Sequence, residues 1–192
     1  LYRLASALIE AIVAVDEADN EAARLMLEQW GARYERHWID GLRAKLGLSR
    51  AEESDLALGK ALFDALEGQG ADFTRLFRAL GASLEDGYSA VAAECTEPDA
   101  LRGWWEQWQT RLAREPLSAQ ERRARMDSVN PLYIPRNHLT DAALKAAEGG
   151  DMQPFSDLLD VVTRPYARRE GLERFEFGAP EGTPPHVTYC GT

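Results

Sequence analysis

Cysteine is scarce in this chain: Cys95 and Cys190 are the only two among 192 residues. Two thiols cannot frame so long a chain with disulfides, and a reducing compartment is the expectation. Nothing in the sequence says whether the two ever meet. No run of about 18 apolar residues exists, so no membrane span is expected. No leader peptide is readable either, because Glu10 interrupts "LYRLASALIEAIVAVDEADN" and no basic region precedes it. Positive charge is in deficit, with a formal net charge of -10. That excludes nonspecific nucleic-acid binding as the expected function, since neutralising phosphates needs clustered cations. Residues 111–136 run against the trend, with six Arg to three acids, and read as a solvated helix face beside an acidic neighbour.

Catalytic signatures are also missing. The three histidines, His37, His138 and His186, are far apart, and no H-E-x-x-H or C-x-x-C accompanies them, so no metal site is expected. Gly59-Lys60 is followed by Ala61 and lacks the upstream glycine of a phosphate-binding loop. There is no G-x-G-x-x-G, no kinase catalytic loop and no G-x-S-x-G elbow.

What is present is helical periodicity. Leu1, Leu4, Leu8 and Ile12 mark one helix face over 1–15. Asn20 is the expected cap of a long second helix with the stripe Met26, Trp30, Tyr34, Trp38, Leu42 and a stop at Gly47. Ser49 and Glu52 have capping-box spacing before Leu58, Leu62, Phe63 and Leu66. Asp72 is placed to cap "FTRLFRAL", and Gly81 to Gly87 reads as a loop. Thr96, with Pro98 in the tolerated first turn, is the expected cap of a helix carrying Leu101, Trp104, Trp105, Trp108 and Leu112. Trp104 and Trp108 share a core face; Trp105 lies off it and is a candidate docking point. Ser118 and Glu121 form a second capping box. Thr140 or Asn137 starts "DAALKAAEGG", and Asp151 starts a last helix with Phe155, Leu158, Leu159 and Val162 inward. The stretch "ALKAAEGGDMQPFSDLLDVV" has the look of one ankyrin-type helical hairpin, but a solenoid needs about three.

The expectation is an all-α fold of about eight helices over 1–163, sequential helices packing as antiparallel neighbours, and an irregular extended tail over 164–192. Residue 1 is not Met and already lies in helical periodicity. The chain is therefore expected to continue a longer protein.

The least ordinary stretch is "VNPLYIPRNHL", residues 129–139. Its prolines exclude a regular helix. One reading is a connecting loop in which Asn130 and Asn137 satisfy backbone groups and Arg136 pairs an acid. The other is a docking surface with Arg136 reaching a carboxylate or phosphate. The pattern Asn130, Pro131, Tyr133, Arg136, Asn137, then Arg164-Pro165-Tyr166, then Cys190 third from the end, resembles the C-terminal region of the selenoprotein O (SelO/YdiU) family of protein adenylyltransferases. "LRAKLGL" and "DFTRLFRAL" add to the likeness.

The resemblance implies a longer enzyme with a kinase-like domain upstream that uses ATP and Mg or Mn to place AMP on Ser, Thr or Tyr hydroxyls of substrate proteins. No catalytic, nucleotide or metal residue of that family maps onto this chain, which is expected to be inactive alone and to bind no cofactor. The terminal cysteine implies a redox-sensitive restraint, a disulfide between Cys190 and the kinase-like domain. Cys95 matches no family motif and reads as a small buried filler. The implied partners are the upstream domain and the protein substrates, with no nucleic acid and no membrane, in a bacterial cytoplasm. The alternatives are an independent helical interaction module docking through Trp105 and 129–139, or a stand-alone helical enzyme.

Overall fold

The computed structural model describes residues 17–180, 182–184 and 186, with side chains from residue 24 onward. The helix expected over 1–15 and the terminal Cys190 lie outside the described residues. Two compact units divide the chain between Leu42 and Arg43.

The first unit contributes most of α1, Glu17–Lys45. Asn20 lies inside this helix and does not cap it. Of the stripe Met26, Trp30, Tyr34, Trp38 and Leu42, the first three are exposed, at 67%, 43% and 57%, while Trp38 is half-buried and Leu42 is buried. A period of four tells which residues share a helix face; it does not say that anything covers that face.

The second unit opens where α1 ends. Gly47 takes φ +72°, Leu48 N donates to Arg43 O at 2.9 Å and Gly47 N to Ala44 O at 3.2 Å, which closes the helix as expected. Only glycine fits: a Cβ there would lie 2.7 Å from Arg122 Cγ. The helices that follow are α2 (Asp55–Leu66), α3 (Phe73–Asp86), α4 (Ser89–Ala92), α5 (Arg102–Leu112), α6 (Ala119–Val129), α7 (Asn137–Glu148) and α8 (Gln153–Thr163), then a 3-10 turn at Glu173–Phe175. The fold of the described residues is all-α.

Local signals held at several ends. Asp72 Oδ1 accepts from the N–H groups of Thr74 and Arg75 at the start of α3. Ser118 and Glu121 make a reciprocal capping box at α6. Elsewhere tertiary partners won. Ser49 does not cap; it gives its hydroxyl to Glu115, and α2 begins only at Asp55. Thr96 donates to Gln69 O, and α5 begins at Arg102. The loop expected over Gly81 to Gly87 is the last part of α3, which ends at Gly87 with φ +74°. Gly81 sits inside that helix because α6 packs against it, with Met126 Cβ 3.9 Å from where a Cβ would be.

The main helix pairs are α7 with α8, α3 with α4, α3 with α6, and α2 with α5. Two of these four are sequential neighbours and two are not, so neighbour-on-neighbour packing holds only in part. Leu62, Leu76, Phe77, Leu80, Leu101, Trp108 and Met126 are essentially inaccessible. Trp104 and Trp108 stack at 5.9 Å, and their ring N–H groups donate to Leu58 O and Leu46 O at 2.8 and 3.0 Å. A second cluster unites Leu132, Tyr133, Ala143, Leu158, Val161 and Phe175. In α8 it is Leu158 and Val161 that are buried, while Phe155 and Leu159 are exposed. The helical hairpin is real; of the four residues expected inward, Leu158 is buried and Val162 packs against the cluster, and Val161 joins them in place of Phe155 and Leu159. Phe175 brings part of the irregular tail into the same cluster.

Candidate functional site

Asn130 ends α6, as a residue before proline is disposed to, with extended φ -105° and ψ 104°. Its side chain is buried and used at both ends: Nδ2 donates to Lys45 O at 3.0 Å and Oδ1 accepts from Lys45 Nζ at 3.2 Å. Lys45 also reaches Val129 O at 3.4 Å and lies over the Phe77 ring; burial pulls its amine below the ordinary range. Pro131 is half-buried. Tyr133 is buried, and its hydroxyl accepts from Arg169 N at 3.0 Å.

The two sequence motifs meet here. Pro165 O accepts from Leu132 N at 2.7 Å and from Tyr133 N at 3.3 Å. Arg78 binds the junction from below, donating to Asp127 O and Asn130 O at 3.1 Å each and to Tyr166 O at 3.4 Å. Arg136 ties the loop to two distant segments, donating to Asp72 Oδ2 at 2.5 Å and to Glu176 O at 2.7 Å. Burial alone would raise the Asp72 carboxyl, but Arg136 and the N–H groups at the start of α3 hold it below its usual value. Asn137 is exposed and is the first residue of α7. Of the two readings of this stretch, the structural bonds are the ones on view.

Trp105, the other docking candidate, is half-buried: its N–H donates to Ser83 Oγ at 3.0 Å and its ring packs on Tyr88 at 5.5 Å. Cys95 is half-buried rather than fully enclosed, and burial pushes its thiol up, away from the reactive thiolate.

Sequence reasoning missed a buried charge network. Arg111, inside the basic window, is 3% exposed. It donates to Asp55 Oδ1 at 2.8 Å, Glu115 Oε1 at 2.8 Å and Arg50 O at 2.6 Å. Arg43 and Glu52 N donate to the other Asp55 oxygen at 2.7 and 2.9 Å. The four-residue spacing of Arg111 and Glu115 was the one legible hint. Burial raises the Glu115 carboxyl, but Ser49, Arg111 and the N–H groups of Ser49 and Arg50 outweigh it and bring it down from 4.5 to about 2.

A carboxylate that loses its proton more easily when folded stabilises the fold above its unfolded pKa and loses that contribution as pH falls through its folded one. Stability should therefore decline between pH 4.5 and about 2 through this residue. Urea midpoints measured across that window should fall less steeply in Glu115→Gln; an unchanged slope would show that the group titrates normally.

An open cleft of about 580 Å³ lies among α3, α6 and the tail, lined by Arg75, Arg78, Arg123 and Arg168 with Glu94, Asp127 and Glu176. Its charges pair among themselves: Arg75 with Glu94 at 2.8 Å, Arg78 with Asp127 at 3.1 Å, Arg168 with Glu176 at 2.8 Å. Carboxylates already shared with guanidinium groups do not suit a divalent cation, which needs them turned together. Among the described residues no three His, Cys, Asp or Glu side chains converge, and no helix is long and apolar enough to cross a membrane.

Comparison with known proteins adds what the geometry does not carry. Residues 1–163 match the family described as Protein adenylyltransferase SelO. The whole chain is 43% identical over 192 residues to "Protein nucleotidyltransferase YdiU" of Sphingopyxis alaskensis. It is 42% identical over 193 residues to the protein of that name from Cereibacter sphaeroides, and 40% identical over 195 residues to that of Rhizobium meliloti. The chain spans 39% of the length of the first two relatives and 40% of the third.

Proposed function

The chain belongs to the SelO family of protein adenylyltransferases, and we propose that it is the helical scaffold of a longer enzyme that moves AMP from ATP to Ser, Thr or Tyr hydroxyls of proteins. In that reading the reacting groups, the nucleotide and its Mg or Mn come from outside these 192 residues. The single observation that carries it is how the motif residues are spent. Asn130, Tyr133 and Arg136 bind α1, α3 and the tail of their own chain. The share of the relatives that the chain covers is consistent with a part, not a whole. Cys190 is the proposed redox handle of this part, pairing with a thiol of the catalytic portion.

The test compares the 192-residue chain with its full reading frame, each given ATP labelled on the α-phosphate, Mg or Mn, and an acceptor protein. Label is expected on protein only with the full reading frame. Transfer by the chain alone would overturn the scaffold reading. A full reading frame without transfer would favour an independent interaction module.

A further inference from the structure

The open cleft among α3, α6 and the tail lies wholly within the second unit and gathers four guanidinium groups in a protein of formal net charge -10. Arg75 and Arg78 come from α3, Arg123 from α6 and Arg168 from the tail. Two of the carboxylates that pair with them stand behind. In the Arg75–Glu94 pair the side chains are 34% and 12% accessible, and in the Arg168–Glu176 pair 65% and 10%. An ion entering there from solvent meets guanidinium first.

Donors are also in excess. Each of the four arginines hydrogen-bonds through one nitrogen: Arg75 Nη2 to Glu94, Arg123 Nη1 to Glu85, Arg168 Nη2 to Glu176, and Arg78 Nη1 to backbone carbonyls. A guanidinium carries five N–H groups, and none of the remaining nitrogens of Arg75, Arg78 or Arg123 is shut away from solvent. Glu176, by contrast, keeps its second oxygen buried. Three of the cations lie within electrostatic reach of one another. Burial lowers the Arg78 pKa, and the charges of Arg168 and Arg123 lower it further, against the opposing pull of Asp127 and Glu176. Alanines 79, 82 and 90 leave about 580 Å³ open, a size that suits a small molecule. At one side the exposed Phe177 ring lies 4.6 Å from the Arg75 guanidinium.

We propose that this cleft binds a phosphate group, either as a free inorganic anion or carried on a small molecule. Planar donor forks from three separate elements match a tetrahedral anion with three or four acceptor oxygens better than a carboxylate with two. Surface ion pairs are weak, so Arg75 and Arg168 turn from their carboxylates to a doubly charged ligand at small cost. Every residue involved belongs to this chain, so the proposal stands apart from the scaffold reading.

The test titrates the 192-residue chain by calorimetry at low salt with pyrophosphate, inorganic phosphate and phenyl phosphate. Saturable binding of one anion per chain is expected, weakening as salt is raised. Arg75→Gln and Arg168→Gln should each weaken it at least about tenfold. Neither should move the melting temperature of the free chain, because both arginines hold only surface pairs. Arg102→Gln, an exposed arginine outside the cleft, should leave binding unchanged. Pyrophosphate as the tightest ligand assigns the site to a free inorganic anion. Phenyl phosphate as the tightest, falling to the level of inorganic phosphate in Phe177→Ala, assigns it to a phosphate borne on an aromatic group. Absence of saturable binding, equal weakening by Arg102→Gln, or undiminished binding in both cleft variants would sink the proposal and leave the scaffold reading standing. Transfer of AMP by the chain alone defeats that reading without touching this one.

Discussion

Asp55→Ala is expected to destabilise the second unit by about 3–5 kcal/mol, the range for removing one partner of a buried ion pair. The carboxylate is inaccessible and accepts from three donors, Arg111 Nε, Arg43 Nε and Glu52 N. Hydrogen bonds from Arg111, the Glu52 N–H and Arg43 outweigh the burial that would raise it, so its pKa lies below the ordinary value. Without it the Arg111 guanidinium stays 3% exposed with Glu115 as its remaining buried counter-charge. A domain has only about 5–15 kcal/mol in total. Arg111→Met should cost less, because Asp55 keeps Arg43 and Glu115 keeps Ser49 and the Arg50 N–H. Urea unfolding followed by the fluorescence of the buried Trp104 and Trp108 reads both. An Asp55→Ala midpoint within about 1 kcal/mol of the parent would show that the network contributes little.

Arg136→Ala should cost at least about 3 kcal/mol and should act locally, by freeing the tail. A hydrogen bond to a charged group contributes about 1.5–3 kcal/mol. Arg136 makes two such bonds, one to Asp72 at the head of α3 and one to Glu176 O. With the guanidinium gone, amides of 164–177 should exchange faster while those of α5 keep their protection. Lysine should not rescue the variant, since a single ammonium cannot reproduce a planar fork aimed at two acceptors. Unchanged exchange over 164–177 would remove Arg136 from this role and restore it as a candidate for external contacts.

How much of this was readable depends on the range of the interaction. The caps at Asp72 and Ser118, the stop at Gly47 and the core stripe Leu101, Trp104, Trp108, Leu112 are set by residues within a few positions of one another, and they appear where the periodicity placed them. The stretch 129–139 was singled out as unusual for its prolines and asparagines, and its bonds to Lys45, Asp72 and Pro165 explain why. Ser49 and Thr96 looked like caps, but their hydroxyls found Glu115 and Gln69 O across the fold. Arg111 and Arg122 looked like a solvated basic face and are 3% and 4% exposed.

From the letters alone came the helical class, the sequence of the longer helices, several of their ends and the family pattern, because each depends on neighbours along one or two helical turns. Only the folded arrangement decided which apolar stripes are covered, which arginines are drawn inside and which carboxylates meet them. Those outcomes hang on partners far apart in the chain, 56 residues for Arg111 with Asp55 and 64 for Arg136 with Asp72. A side chain's own chemistry states what it can bond to; the surroundings that bring a partner within 3 Å are the work of the whole fold.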